Sequence, residues 1–202
     1  MYLLASFWEK LIDWDKSAFM LINVKWANPV FDVVMPFLRL STHWIPLYTF
    51  LLVFMILNFR TKGMWWCLLF LATVALTDMT GTYLFKHGID RLRPCKDPSM
   101  VDSIRLVIRQ CAGGFSFISN HAANHFGMGA FFFVTFRHLF RKTAWLGIAW
   151  AVAIAYAQVY VGVHFPLDVI SGGLLGISFG SIMGHFFNKR FGIHIFDHQP
   201  IV

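Results

Sequence analysis

The sequence predicts an all-α fold, an integral membrane helix bundle of five to six transmembrane helices with an N-terminal interfacial amphipathic helix. Hydrophobic residues make up 57% of the chain and charged residues 13%, whereas ordinary soluble domains are about 45–50% apolar. The apolar residues gather into runs near the length of about 20 residues that a helix needs to cross a bilayer. Because no linker rich in Ser, Pro, Gly or charge divides the chain, residues 1–202 are predicted to form a single domain.

Five apolar runs between residues 44 and 187 are the predicted spans of this bundle. They are Trp44–Phe59, Met64–Phe85, Ala122–Phe136, Ala144–Val163 and Pro166–Phe187. The first and third runs are short, and each would extend by a turn to cross the membrane.

Residues 1–40 are predicted to lie at the membrane interface. Leu4, Phe7, Trp8 and Leu11 recur at helical spacing among charged residues, which predicts an amphipathic helix along the bilayer surface rather than a cleaved signal peptide. The stretch 28–40 contains two prolines and several polar residues. It is interpreted as an interfacial or re-entrant segment, with a sixth span as the alternative.

The net charge of +7 is carried largely in short loops between apolar runs, which favours a membrane protein over one that binds nucleic acid. Alternation of the spans places one group of polar residues on a single membrane face. These are Lys86, Arg93, Ser119, His121, His164 and Asp168. The opposite face is rich in Lys and Arg and is therefore predicted to be cytoplasmic, so the polar group would face the periplasm of a bacterial inner membrane or its equivalent.

Two cysteines, Cys95 and Cys111, lie in the long loop on the predicted outer face. An oxidising compartment would permit a disulfide between them, and two free thiols are the alternative.

The stretch "KHGIDRLRP" offers Lys86 and Arg93 as a phosphate-binding pair. A lysine supplies a compact charge, and an arginine supplies a planar fork that matches phosphate oxygens. The alternative for these two residues alone is a basic collar that reaches the lipid headgroups.

The stretch "FISNHAANHFG" places Ser119 as the N-cap of a helix that begins with Asn120 and His121. Free N–H groups and the positive dipole at a helix start bind anions, and His121 would face such an anion as a proton donor. A capped or solvated histidine is the alternative.

The third element is "VYVGVHFPLD", in which Asp168 follows His164 by four positions around Pro166. A carboxylate on one imidazole nitrogen fixes the tautomer and makes the other nitrogen a better nucleophile. The alternative for His164 and Asp168 alone is an ion pair or hydrogen bond that holds a loop in place. Together, a phosphate clamp, an acid at a helix start and an activated nucleophile are the parts that phosphoryl transfer requires.

The ordered pattern Lys-x6-Arg-Pro, Ser-x-His and His-x3-Asp resembles the signature of the type-2 phosphatidic acid phosphatase superfamily, over roughly residues 44–187. The resemblance implies a metal-independent lipid phosphatase without a cofactor. It also implies His164 as the nucleophile, Asp168 as its orienting partner and His121 as the general acid. Lys86, Arg93, and the region of Ser119 and Asn120 would hold the phosphate.

The chain departs from that signature in two places. The middle motif usually reads Pro-Ser-Gly-His, and here Ile118 and Asn120 replace the proline and the glycine. The third motif usually begins Ser-Arg, but Gln158 stands where the arginine would be. Gln158 donates a hydrogen bond without charge, so we hypothesise that Arg105 or Arg109 restores the missing positive charge.

Together these features predict a lipid phosphate phosphatase at the extracytoplasmic face, and the resemblance implies a polyprenyl pyrophosphate as the leading substrate. Lipid A or phosphatidylglycerophosphate are alternative substrates. A non-hydrolytic protein that binds lipid phosphates is a further alternative, supported by the loss of arginine at Gln158. No metal-ligand spacing is recognised in the sequence, and Asp78, in the middle of a span, is interpreted as a structural hydrogen-bonding group between helices.

Overall fold

A computed structural model describes residues 2–86 and 88–193, with side chains from residue 6 onward. The remaining positions of the predicted 1–202 domain lie outside the described residues. Six α-helices account for most of the fold: α1 Tyr2–Met20, α2 Pro29–Arg39, α3 Ile45–Met79, α4 Asn120–Phe140, α5 Leu146–Tyr160 and α6 Pro166–Arg190. A π-helical turn, Leu21–Lys25, follows α1, and another, Thr80–Lys86, extends α3. No strand occurs within these described stretches, so the all-α prediction is confirmed.

The helix α3 is a hairpin of two antiparallel halves. The backbone of Arg60 leaves the helical region, with φ 48° and ψ −122°, and the chain turns back on itself there. The thiol of Cys67 is 3.5 Å from the carbonyl of Leu52, and Gly63 lies so close to Met55 that a Cβ would be 1.9 Å from its carbonyl oxygen. The two halves correspond to the first two predicted spans.

The helices α4 and α6 form the closest pair in the bundle. Along α6, Gly172, Gly176 and Gly180 face the backbone of α4, so the two helices approach without intervening side chains. Small residues permit this kind of contact inside membranes, where packing replaces the hydrophobic driving force. This pair positions the start of α4 beside the start of α6, where most of the predicted site residues lie.

Three stretches are long and apolar enough to cross a membrane by length and composition: Ser41–Lys86, Thr143–Tyr160 and Pro166–Arg190. The first contains both halves of α3. These stretches support an integral membrane protein, and the count of five to six spans stays a prediction.

The N-terminal segment packs against the bundle through α2. Met35 packs with Tyr160 and Val161 in one buried cluster, and the hydroxyl of Tyr160 donates to Asp32 at 2.7 Å. With 11 residues, α2 is shorter than the about 20 residues that a span requires. This length favours the interfacial interpretation over a sixth span.

Candidate active site

His164 occupies the turn between α5 and α6 and is 2% exposed. Its Nε2 lies 2.9 Å from Nη1 of Arg93. Because a guanidinium only donates hydrogen bonds, Nε2 must be the unprotonated nitrogen, and the proton of the neutral ring is on Nδ1. The neutral ring therefore has its lone pair on Nε2, where it accepts the hydrogen bond from Arg93.

Nδ1 of His164 faces an oxygen pair formed by Asp168 and Ser116. The carboxylate oxygen Oδ2 of Asp168 is 3.5 Å from Nδ1, and the hydroxyl oxygen of Ser116 is 3.4 Å from it. Ser116 in turn donates to Oδ2 of Asp168. The predicted pairing of Asp168 with one imidazole nitrogen is thus a long contact that Ser116 shares.

The carboxylate of Asp168 is fully buried and accepts hydrogen bonds from three directions. The backbone N–H of Phe165 donates to Oδ2 at 2.9 Å, which caps the start of α6. Arg91 donates to Oδ1 at 2.7 Å, and Ser116 is the third donor. These donors offset the cost of removing a charged carboxylate from water.

Arg91 connects this carboxylate to the N-terminal helix. Its second terminal nitrogen donates to Asp15 of α1, which is fully buried. The other oxygen of Asp15 accepts from the backbone N–H of Leu167 at 2.8 Å, and the guanidinium lies 4.2 Å above the ring of Phe165. One arginine therefore fixes α1, the turn before α6 and the carboxylate beside His164 relative to each other.

Arg93 is held in place by backbone carbonyls. Nη1 donates to Val163 at 3.0 Å, and Nε reaches the carbonyls of Gly113 and Gly114 at 3.2 and 3.3 Å. Burial lowers the pKa of Arg93, and the nearby charge of Asp168 opposes that shift. Lys86, at the end of the π-helical turn after α3, lies within electrostatic range of both Arg93 and Asp168.

The start of α4 brings His121 to the same place. Ser119 is the N-cap, as predicted, and its hydroxyl accepts from the N–H of Ala122 at 3.4 Å. The N–H of Ser119 itself donates to the carbonyl of Asp168 at 3.0 Å, which ties the start of α4 to the start of α6. His121 lies within electrostatic range of His164, Lys86 and Arg39.

Asn120 points toward α3 rather than toward His164. Its amide donates to Asp78 at 3.0 Å and to Thr82 at 2.7 Å, and Asn124 also donates to Asp78, at 3.1 Å. Asp78 therefore joins α3 to α4 by hydrogen bonds, which confirms its interpretation as a structural group. A role for the Asn120 side chain on phosphate stays a prediction.

A cavity of ≈ 390 Å³ lies between α3 and α4 beside this network. Its polar wall includes His121, Asn124 and Asp78, and its apolar wall includes Phe70 and Val74. A cavity of this size can hold part of a ligand whose polar group contacts His121 while its apolar part lies against Phe70 and Val74.

Burial controls the protonation of the proposed nucleophile. It lowers the pKa of His164 to about 4, and the hydrogen bond with Asp168 opposes that shift. His164 is therefore neutral at physiological pH, as nucleophilic attack requires.

Gln158 is fully buried in α5, but neither arginine that was predicted to compensate for it is its hydrogen-bonding partner. The guanidinium of Arg105 donates to Asp32 at 2.6 Å, and Arg109 lies exposed in the loop before α4. The guanidinium beside Gln158 belongs to Arg39, whose Nε is 3.4 Å from the amide oxygen of Gln158.

The structure thus places Arg93 and Asp168 in contact with His164 and Lys86 and His121 within electrostatic range of it, with Ser119 joining the starts of α4 and α6. It also adds a set that the sequence had not assigned to the site. This set is Asp15, Arg39, Arg91 and Ser116. Arg91 is recognisable from the sequence as a third cation within "KHGIDRLRP". Nothing in the sequence indicates that Asp15 on α1 is its partner.

The loop that carries Arg91, Arg93 and Ser116 is cross-linked by a disulfide between Cys95 and Cys111. Of the two alternatives that the sequence left open, the structure has the bridge.

Comparison with known proteins finds relatives that are named as phosphatases. The chain is 28% identical over 179 residues, 86% of this chain and 77% of the relative, to a lipid A 4'-phosphatase of Bacteroides thetaiotaomicron. It is 36% identical over 142 residues, 69% of this chain and 62% of the relative, to an undecaprenyl-diphosphatase of Sulfolobus acidocaldarius.

A crystal structure of a transmembrane phosphatidylglycerolphosphate phosphatase from Bacillus subtilis has the same fold. Its TM-score is 0.71 at 22% identity, covering 93% of this chain and 89% of that chain. Residues 63–192 match the model of the PAP2 superfamily, which spans more than half of the sequence and includes all three predicted motifs. The chain therefore belongs to the PAP2 superfamily.

Proposed function

We propose that this membrane phosphatase of the PAP2 superfamily removes a terminal phosphate from a lipid through a phosphohistidine on His164, without a metal ion. The observation that carries the proposal is the buried, neutral His164, whose Nε2 lies 2.9 Å from Arg93. A phosphate bound by Arg93 and Lys86 would draw the Arg93 N–H away from Nε2 and would lie beside the lone pair that this frees for attack.

In the first step, Nε2 of His164 attacks phosphorus and the bond from phosphorus to the lipid oxygen breaks. Arg93 and Lys86 stabilise the charge on the phosphoryl oxygens. Asp168 and Ser116 accept the hydrogen bond that Nδ1–H donates, so that the positive charge of the phosphohistidine is stabilised. His121 protonates the departing lipid oxygen.

In the second step, a water attacks the phosphohistidine, the phosphorus–nitrogen bond breaks, and inorganic phosphate leaves. His121, now neutral, accepts the proton of that water. In the empty site, burial lowers the pKa of His121 to about 3. The negative charge of a bound phosphate favours the imidazolium, so His121 gains its proton together with the substrate.

The reaction is proposed to occur at the extracytoplasmic face of a bacterial inner membrane. The Cys95–Cys111 disulfide supports this side, because disulfides persist in oxidising compartments and are rare in the cytosol. The excess of Lys and Arg at the opposite ends of the helices supports the same orientation.

For the substrate, a glycolipid phosphate of the lipid A class is placed first. The alignment with the lipid A 4'-phosphatase covers 86% of this chain. The similarity therefore extends beyond the family match at residues 63–192 into the segment before residue 63, and this supports the lipid A class. A polyprenyl pyrophosphate, the leading prediction from sequence, is the second candidate, supported by the 36% identity to an undecaprenyl-diphosphatase.

The test is phosphate release by the purified protein in detergent, with a chelator present, from lipid A, a polyprenyl diphosphate and phosphatidylglycerophosphate. We expect release from at least one of them, a radiolabelled phosphoenzyme that is stable in base and labile in acid, and loss of both in His164→Ala. His138→Ala, at the exposed far end of α4, is the matched control. Binding without release, or release that the chelator abolishes, would contradict the proposal.

A further inference from the structure

Gln158 has a hydrogen-bonding group without a partner inside the protein. Its side chain is fully buried, and its amide nitrogen Nε2 has no hydrogen-bond acceptor among the residues that the structure describes. A buried donor left unsatisfied costs about 1–3 kcal/mol. The amide nitrogen is therefore left to donate to an acceptor from outside the protein, such as a ligand oxygen.

Arg39 lies beside this amide, with Nε 3.4 Å from the oxygen of Gln158. The two residues are 119 positions apart in the sequence. No salt bridge is found for Arg39 within residues 2–86 and 88–193, in contrast to Arg91 and Arg105. Its terminal nitrogens thus remain available to an anion.

The position of Arg39 is fixed by the packing of α2. Asn28 caps the helix by accepting from the N–H of Phe31 at 2.9 Å, and the ring of Phe31 packs edge-on against Tyr160. Asp32 binds both Tyr160 and Arg105. These contacts attach α2 to α5, so the last residue of α2 is presented to Gln158.

Arg39 also belongs electrostatically to the active site. Its charge acts on Arg93, whose pKa is lowered mainly by burial and further by Arg39, and it acts on His121. Ser41, two residues beyond Arg39, lines the same cavity as His121. Several cations held close together around a neutral nucleophile repel each other, and a phosphate anion relieves that repulsion.

We propose that Arg39 and Gln158 form one phosphate-binding pair, in which the α2 guanidinium supplies the charge that the third motif lacks and the Gln158 amide donates to a phosphoryl oxygen. The ligand is the phosphate group of the lipid substrate. The proposal rests on the proposed function for its substrate, but the pair would bind an inorganic phosphate as well. It makes α2, which lies outside residues 63–192 of the family match, part of the active site.

The experiment moves the guanidinium from one residue to the other. Arg39→Ala is expected to lower kcat/KM by about 10²-fold, as loss of one donor to a transition state does, and Arg39→Lys is expected to retain part of it. The double variant Arg39→Ala with Gln158→Arg returns a guanidinium to the motif position and should recover at least about 10-fold over Arg39→Ala. Arg137→Ala, an exposed arginine at the far end of α4, is the matched control.

A purely structural role for Arg39 would give a different activity for the double variant. If its only role were to bind the Gln158 oxygen, the double variant would lack both partners and would be at least as impaired as Arg39→Ala. Thermal unfolding in detergent identifies any variant that fails to fold, and Arg39→Lys then carries the comparison.

A second readout separates this inference from the proposed function. Inorganic phosphate and vanadate are titrated against thermal unfolding of each variant, and Arg39→Ala is expected to bind vanadate about 10-fold more weakly than the wild type. Normal hydrolysis and normal vanadate binding in Arg39→Ala would overturn the inference and leave the proposed function intact. If the wild type releases no phosphate but binds vanadate more tightly than Arg39→Ala does, the proposed function is overturned and the phosphate-binding pair is supported.

Discussion

Gly176 sets the distance between the two helices that carry the site, so Gly176→Ala should impair both stability and activity. A Cβ at this position would lie 2.2 Å from the carbonyl oxygen of Ala123 and 2.7 Å from the backbone nitrogen of Gly127. An ordinary contact between carbon and oxygen is about 3.3 Å, so α4 and α6 would have to separate by about 1 Å.

That separation has two consequences. Forcing a methyl group into a packed interface costs about 1–3 kcal/mol of folding free energy. Because α4 carries His121, the proposed general acid, and α6 carries Asp168, the same movement displaces His121 from the carboxylate beside His164. A misplacement of about 1 Å can lower the rate about 10²-fold.

Gly173→Ala is the matched control, because it adds the same methyl group to the same helix three residues away. Its Cβ would meet the ring of Phe126 at 3.0 Å, and a ring can move where a backbone carbonyl cannot. Both variants gain the same helix propensity from alanine, so their difference isolates the contact with α4. Thermal unfolding and kcat/KM in detergent are the measurements. Equal values for the two variants would refute the reasoning.

Two further predictions concern the proposed nucleophile, His164. Ser116→Ala removes a donor to Asp168, and since hydrogen bonds to charged groups contribute about 1.5–3 kcal/mol, kcat/KM should fall at least about 10-fold; Ser178→Ala is the control, and equal activities would count against a role for Ser116. Burial lowers the pKa of His164 to about 4, so the unfolded state binds a proton at a higher pH than the folded state does. The free energy of unfolding is therefore highest above a pH of about 6.5 and falls as the pH is lowered toward about 4. His164→Asn should flatten that decline in unfolding temperature, and parallel curves for the two proteins would contradict it.

The helices were predictable because the bilayer leaves the backbone few alternatives. A long apolar run must satisfy its N–H and C=O groups internally, so composition and length alone indicate the helices of α3, α5 and α6. The reversal inside α3 also had a signal, since Arg60 and Lys62 interrupt two apolar runs. The prediction for residues 28–40 stays open because two prolines and two charged residues, Asp32 and Arg39, are compatible with several membrane positions.

The motifs predicted the core of the site for a related reason. Each motif lies at a helix end, and alternation of spans across a membrane forces those ends onto one face. Arg39 and Asp15 had no comparable constraint. Asp15 reaches Arg91 across 76 residues, and such contacts depend on how the N-terminal segment folds back over the bundle. Spacing along the chain carries no information about that packing, so the sequence favours Arg105 and Arg109, which are nearer to Gln158, over Arg39.

The bridge from Asp15 through Arg91 to Asp168 has a practical consequence for protein engineering. Residues 63–192 look like a portable catalytic unit, because they contain every motif of the superfamily. A graft of that unit into a chimera would leave behind the carboxylate that holds Arg91 and the guanidinium beside Gln158. The borders of an exchangeable module in this protein therefore extend upstream to include α1 and α2.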